Sequence, residues 1–385
     1  MMSGTSVDAI DTALVDLRRD ATDPSLLRAR LLDVGEHPWP ASVRADLLDV
    51  LPPASSDVAT WTRLHVAVGE RFAEVAVDVL SRHGPADLVV SHGQTVYHWV
   101  AGDGVPRGSL QIGDAARIAA VTRVPVLYDV RAADLARGGH GAPLAPILDV
   151  LLAGDEPTAV LNLGGIANLT LITEDGVLAG DLGPANALID AAVREASDGA
   201  QDCDRDGRLA AAGTVDSAVL ERLLADPYFS RGLPRSTGRE YFDRDYVRRR
   251  VGEHGLDLAD LVATLTEFSA RTVADQIRGS GVRRVIGSGG GMDNPSLRGR
   301  IGEMIAPIAL LDSDAVGVPP AAKEALLMAV IGYLSAHGLT PPDRLRGVTG
   351  SREPSILGSL TPPVPVTGLD ADRVTPLRRL QVELP

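Results

Sequence analysis

The sequence predicts an α/β protein of two lobes, on three observations. A polar turn, Ser3-Gly4-Thr5-Ser6-Val7-Asp8-Ala9-Ile10-Asp11, runs into strand-like segments Ala9 to Leu17 and Leu27 to Val34. The same outline returns in mid-chain. There Ala159-Val160-Leu161 breaks at Asn162-Leu163-Gly164-Gly165-Ile166-Ala167 and is followed by Asn168 to Thr173 and Val177 to Gly180. Two halves that each open with strand, glycine turn and returning strand suggest duplicated lobes facing one another across a cleft lined by both turns. Finally, 385 residues at 45% hydrophobic can bury more than one core.

Between and after these repeats, helices alternate with short buried strands. Val58 to His83 carries Leu64, Val68, Phe72, Val75, Val79 and Leu80 on one stripe and stops at Gly84-Pro85. Leu88-Val89-Val90 reads as a buried strand delivering Ser91-His92-Gly93-Gln94-Thr95 into a loop, the place where α/β folds hold ligands. Gln111 to Val121 reads as a helix, Pro125 to Tyr128 as a strand, and Ala136 to Pro143 as a glycine-rich hinge or substrate loop. Further helices are expected at Ala187 to Ala196, Val215 to Asp226, Leu256 to Gly279 and Lys323 to His337. The strand Arg284-Val285-Ile286 leads into Gly287-Ser288-Gly289-Gly290-Gly291 and a helix from about Pro295, which permits close backbone approach to a ligand. Pro362 to Asp372 is proline-rich and expected to be loose. The expected divisions are 1–140, 141–340 and a terminal segment 341–385 packing back on the first lobe.

Charge and composition narrow the partners. A net charge of −14 argues against nucleic acid or an anionic membrane as the main partner. No span reaches the roughly 18 apolar residues of a membrane helix. The one cysteine, Cys203, permits no internal disulfide and suits the cytoplasm. Lys323 is the one lysine, and its Ala-Ala-Lys-Glu setting excludes a Walker loop and a protein-kinase lysine. His92, His98 and His140 lack zinc-type spacing.

The opening turn suits phosphate chemistry. Glycine admits the backbone to phosphate oxygens, hydroxyls add donors, and Asp8 or Asp11 can hold magnesium. An ordinary polar turn is the alternative. Asp181, at a strand end before Gly183-Pro184 and a helix, is positioned to act as a base; a helix-capping aspartate is the other reading. There is no GxSxG elbow or dinucleotide fingerprint.

Nine motifs in order then resemble a known family over most of the chain. They are Met2 to Asp11, Ser91 to Thr95, Arg131-Ala132-Ala133-Asp134, Gly138 to Pro143, Leu161 to Thr170, Asp181 to Asn186, Pro234-Arg235-Ser236-Thr237-Gly238-Arg239-Glu240, Gly289-Gly290-Gly291 and Lys323-Glu324-Ala325. Together they are similar to the anhydro-N-acetylmuramic acid kinases of the sugar kinase, heat-shock protein and actin superfamily. The resemblance implies a two-lobed, actin-like ATPase fold of duplicated ribonuclease H-like domains with a central cleft. It also implies ATP and Mg2+ as cofactors, a cytoplasmic homodimer, and hydrolysis of an anhydro amino sugar coupled to phosphorylation at O6.

By the same resemblance, Gly4, Thr5, Ser6, Val7, Asp8, Ala9, Ile10 and Asp11 hold ATP phosphates. Gly164 and Gly165 face them, and Gly289, Gly290 and Gly291 border the adenosine. Asp181 is the catalytic base, and Thr95, Arg131 and Glu324 contact the sugar. The chain departs from the family pattern at Leu182, Ala185, Ala9 and His140, and Leu182 is expected to remove a hydroxyl beside the base. The family has an apolar strand before the opening turn where only Met1 and Met2 stand here, which suggests a start further upstream. Turns in separate halves that serve one nucleotide predict a closing motion. Another kinase of the superfamily, or an ATP-gated interaction protein, remains the alternative.

Overall fold

The computed structural model describes residues 1–102, 105–238, 241–252, 255–363 and 378–384. Arg239, Glu240 and most of the expected loose segment Pro362 to Asp372 lie outside the described residues. The chain forms two compact units, Met1–Gly154 with Val316–Pro385, and Asp155–Ala315. These boundaries differ from divisions at 140 and 340. The reason is packing: helix Lys323–Ala336 shares a core with helix Ala145–Ala153 and strand Arg379–Glu383, so the far end of the chain completes the first unit.

In the first unit, strands Ala9–Arg19 and Leu26–Pro38 pair antiparallel, and Arg379–Glu383 adds in parallel to the outer one. Val126–Tyr128 lies between parallel Val89–Val90 and antiparallel Ser359–Thr361. Residues 1–3 join these two sheets. Met2 and Asp11 exchange backbone hydrogen bonds of 3.0 and 2.8 Å, and the Met1 amino group donates to the Val90 carbonyl at 2.9 Å. The resulting order is Leu26–Pro38, Ala9–Arg19, residues 1–3, Val89–Val90, Val126–Tyr128, with the first three antiparallel.

The second unit repeats this order: Gly176–Pro184, Ile166–Thr173, Thr158–Leu163, then parallel Arg284–Ser288 and Ala309–Asp312. The duplicated ribonuclease H-like arrangement therefore stands in each unit, with residues 1–3 of the first at the place that Thr158–Leu163 takes in the second.

Helices cover these sheets. Val58–His83 starts where the Asp57 side chain accepts from the Thr60 N–H at 2.8 Å, and it buries Leu64, Val68, Phe72, Val75 and Val79 as the stripe requires. In the second unit, helix Leu258–Ile277 is buried along most of its length against the sheet and against helix Pro295–Ile305.

One expected helix is corrected. Gln111 and Ile112 end a strand, Pro106–Ile112, that pairs with Gln94–Val100, and the helix begins only at Ala115, capped by Asp114. The β-hairpin explains the error: Gln94 to Val100 alternates buried and open positions instead of looping. Among the described residues no helix is long and apolar enough to cross a membrane.

Candidate active site

Asp181 stands where strand Gly176–Pro184 bulges against Ile166–Thr173, Ala167 pairing with Gly183 and Asn168 with Asp181, so that Leu182 is the extra residue. Bulges re-aim side chains beside functional sites. The carboxylate is held on both oxygens. Asn168 Nδ2 donates to Oδ1, while Ser236 Oγ at 3.0 Å and the Thr237 N–H at 2.8 Å donate to Oδ2. Its backbone is gripped as well. The Asp181 carbonyl accepts from the Tyr228 hydroxyl at 2.7 Å and from Arg235 Nε at 3.0 Å, and Arg235 reaches the Leu182 carbonyl at 2.8 Å.

Asp181 does not cap helix Ala187–Ala196; Asn186 occupies that position. Two glycines admit the gripping loop. A Cβ on Gly180 would lie 2.7 Å from the Arg235 carbonyl, and one on Gly183, at φ +144°, would lie 2.8 Å from the Phe229 ring.

Leu182 is wholly buried among Leu169, Ala270 and Val273, and Ala185 is buried in the same cluster. A hydroxyl at 182 would therefore sit in an apolar core. The expectation that Leu182 strips a polar group from beside the base is corrected accordingly.

The glycine turns of this unit differ in what requires glycine. Gly164 and Gly165 connect Thr158–Leu163 to Ile166–Thr173, and their carbonyls accept from the N–H groups of Asn186 and of Ala185 and Ala187. Gly289, at φ +86°, would place a Cβ 2.7 Å from Asn162 Oδ1, and Gly291 would place one 2.7 Å from Leu163 Cβ. Both are glycine for packing. Only Gly290 of the three faces open space, which leaves it free for a ligand. Helix Pro295–Ile305 is capped by its own Asn294, whose side chain accepts from Ser296 and Leu297 at 3.0 and 3.2 Å.

In the first unit the opening turn closes with the Val7 N–H on the Gly4 carbonyl at 3.2 Å. Val7 takes φ 55° and is fully buried, so the turn is anchored from beneath. Thr5, Ser6 and Asp8 are exposed, and a Cβ on Gly4 would meet only Ser6 Oγ at 3.8 Å. Ala9 and Ile10 are buried, so any phosphate contact they make comes from the backbone. Gln94, fully buried, donates to the Gly4 carbonyl at 3.1 Å, while its Oε1 and the Ser91 hydroxyl have no hydrogen-bond partner among the described residues. Orphaned buried acceptors beside an open glycine turn suit ordered water or a ligand.

The two aspartates of the turn are in different settings. Asp8 is exposed and pairs with Arg44 at 3.0 Å. Asp11 is half-buried, and burial, then Glu324 and Glu36, push its carboxyl up to about 6. Among the described residues no three His, Cys, Asp or Glu side chains gather as a metal cage. Magnesium is ordinarily held by one or two carboxylates plus phosphate and water, so Asp11 fits it better than the Arg44-paired Asp8.

Thr95, Arg131 and Glu324, the residues expected to contact the sugar, also lie in this unit. Arg131 Nε donates to His92 Nε2 at 3.2 Å and its Nη1 to the Gly141 carbonyl at 2.7 Å. Burial, then the Arg131 charge, lowers His92 to about 3, so the ring is neutral and a donor on Nδ1, 3.3 Å from the Gly93 carbonyl. Glu324 is exposed at its surface, and desolvation by the surrounding protein, opposed by Lys323 and Arg131, pushes its carboxyl up. Thr95 Oγ1 accepts from Gln111 at 3.2 Å.

The glycine-rich stretch Ala136 to Pro143, expected as a hinge or substrate loop, is tied down. Buried Asp134 accepts from the Gly141 N–H at 2.8 Å and from Thr349 Oγ1 at 2.7 Å, and the His140 N–H donates to the Thr349 carbonyl at 2.8 Å.

Residue types and spacing alone assign no role to Asn168, Tyr228, Arg235, Ser236 or Thr237; the signal available is that Asn168 stands in the Leu161 to Thr170 motif and Arg235, Ser236 and Thr237 in the Pro234 to Glu240 motif, whereas Tyr228 lies in neither.

Comparison with known proteins agrees with the order of motifs. The sequence model of the family described as anhydro-N-acetylmuramic acid kinase matches residues 1–363. Curated anhydro-N-acetylmuramic acid kinases of Streptomyces coelicolor and Rhodococcus erythropolis are each 46% identical, covering 94% of this chain and 93% of their own. Among solved structures, the activator of the 2-hydroxyisocaproyl-CoA dehydratase from Clostridium difficile with bound ADPNP aligns at 12% identity over 83% of this chain and 93% of its own, with a TM-score of 0.37. Xylulose kinase from Rhodospirillum rubrum aligns at 16% over 61% and 51%, with a TM-score of 0.33. Structural scores that low carry no argument. The family model and the curated relatives do, and by them this chain belongs to the anhydro-N-acetylmuramic acid kinase family of phosphotransferases.

Proposed function

We propose that this protein hydrolyses the 1,6-anhydro bond of 1,6-anhydro-N-acetylmuramic acid and phosphorylates O6 with ATP. The products are N-acetylmuramic acid 6-phosphate and ADP, in cell-wall recycling. The observation that carries the reading is Asp181, a carboxylate fixed by Asn168, Ser236 and Thr237 at a bulged strand end. Such a group is oriented for general-base work.

In the proposed reaction Asp181 takes a proton from water as the water oxygen bonds to the anomeric carbon. The C1–O6 bond breaks, O6 keeps the electron pair and accepts the γ-phosphoryl group, and ADP leaves. The proton on Asp181 then passes to solvent. Thr95, Arg131 and Glu324 would bind the sugar, with Arg131 held in place by His92 and the Gly141 carbonyl.

Gly4 to Asp11, Gly164 and Gly165 would receive phosphates, and Gly290 would border the adenosine, Gly289 and Gly291 shaping its turn. Magnesium, when bound, neutralises phosphate charge, and Asp11 would hold it. The reading includes a cytoplasmic location, where ATP is available, and a homodimer, which sedimentation at micromolar concentration tests. Purified protein with ATP is expected to consume the anhydro sugar and to leave ordinary amino sugars unphosphorylated. Turnover of an ordinary amino sugar with no reaction on the anhydro sugar would contradict the assignment.

A further inference from the structure

Ser236 stands on a loop with an unusual fastening. Arg235 is buried, and among the described residues no carboxylate pairs with it. Its guanidinium donates to carbonyls of Asp181, Leu182 and Arg231 at 3.0, 2.8 and 2.6 Å, and it lies 4.7 Å from the Tyr228 ring centroid. A buried guanidinium spent on main-chain carbonyls fixes backbone geometry. It ties both residues of the bulge to the loop, and the Asp181 N–H, donating to the Arg235 carbonyl at 2.8 Å, closes the attachment from the other side. The next two residues then deliver donors to one carboxylate oxygen, Ser236 Oγ at 3.0 Å and Thr237 N–H at 2.8 Å.

We propose that the Ser236 hydroxyl is a positioning residue for the base: held by the Arg235 clamp, it fixes the rotation of the Asp181 carboxylate so that Oδ1 faces the water it deprotonates. This rests on the reading of Asp181 as the base. Ser236 itself is exposed, so its loss leaves no buried cavity, whereas the Thr237 contact is main-chain and survives substitution. The Thr237 N–H on Oδ2 and Asn168 Nδ2 on Oδ1 then remain, two donors of three, and the rotation of the carboxylate is less tightly set. Mispositioning of this kind costs up to about 100-fold in rate.

The test compares Ser236→Ala, Ser236→Thr and Asp181→Asn in steady-state kinetics with ATP and the anhydro sugar, with thermal midpoints measured alongside. Ser236→Ala is expected to lower kcat about 10- to 100-fold with KM for ATP and the thermal midpoint unchanged. Ser236→Thr, which keeps a hydroxyl, is expected to restore most of kcat. Wild-type kcat in Ser236→Ala beside an inactive Asp181→Asn overturns the positioning role alone. So does a Ser236→Thr variant as slow as Ser236→Ala. An active Asp181→Asn overturns the base assignment and the positioning role with it.

Discussion

His92 and Asp11 show how burial moves two side chains in opposite directions while favouring the uncharged form of each. Burial and the Arg131 guanidinium hold His92 neutral down to about pH 3, against 6.5 for a free imidazole. Between those values the unfolded chain binds a proton that the folded one refuses, so stability is complete above about pH 6.5 and falls as pH descends toward 3. His92→Gln has no titrating ring, and its urea midpoint is expected to decline less than the wild-type midpoint between pH 7 and pH 4. Parallel curves would contradict the assignment.

Asp11, crowded by Glu324 and Glu36, gains from a cation, whereas Asp8 already has Arg44. Asp11→Asn is expected to weaken magnesium-dependent ADP binding about tenfold or more, and Asp8→Asn to leave it nearly unchanged. Calorimetric titration with and without magnesium checks both, and the reverse ranking would move the metal role to Asp8.

At the scale of elements, the turn after strand Arg284–Ser288 separates folding from binding within three residues. Gly289 is left-handed and packed against Asn162 and Leu163, whereas a Cβ on Gly290 would meet nothing within 4 Å among the described residues. Gly289→Ala is expected to cost about 1–3 kcal/mol in denaturant unfolding. Gly290→Ala is expected to leave stability alone and raise KM for ATP. Equal stability losses would contradict this division.

The sequence shows the triple glycine but not this distinction, because which glycine touches Leu163 depends on a strand more than a hundred residues away. Asp181 is legible, since it sits in a motif of fixed order. The bulge that aims it is not, because an unpaired Leu182 reads as any apolar strand residue. The hairpin Gln94–Val100 with Pro106–Ile112 is missed for a related reason: Ser91-His92-Gly93 reads as the start of a loop, and pairing across the turn restores the strand.

At the scale of the whole molecule, duplication was visible in the repeated strand and glycine turn, and both units carry the same strand order. That segment 341–385 packs back on the first unit is an expectation of the sequence; that residues 316–340 belong there as well is not. The pattern of helix Lys323–Ala336 is apolar nearly all round, which marks it as buried without naming its neighbour. The consequence is testable by dissection. Residues 155–315 carry their own cores around Leu161, Val273, Phe242 and Phe268, and this fragment is expected to unfold cooperatively on its own. Residues 1–154 alone lack Leu326, Ile331 and Leu380 from their core and are expected not to fold. Circular dichroism melts of the two fragments decide it, and a cooperative melt of 1–154 would contradict the shared core.

In the proposed reaction one base, Asp181, activates water while O6 is phosphorylated, and the fate of a water oxygen tests that coupling. Turnover of the anhydro sugar with ATP in heavy-oxygen water, followed by mass analysis of the phosphorylated product, is predicted to place label on the anomeric carbon and none on the transferred phosphoryl group. Asp181→Asn is predicted to abolish both label and phosphate ester, general-base removal costing roughly 10²–10⁴ in rate. An unlabelled phosphate ester with its anhydro ring intact would contradict the coupled reaction.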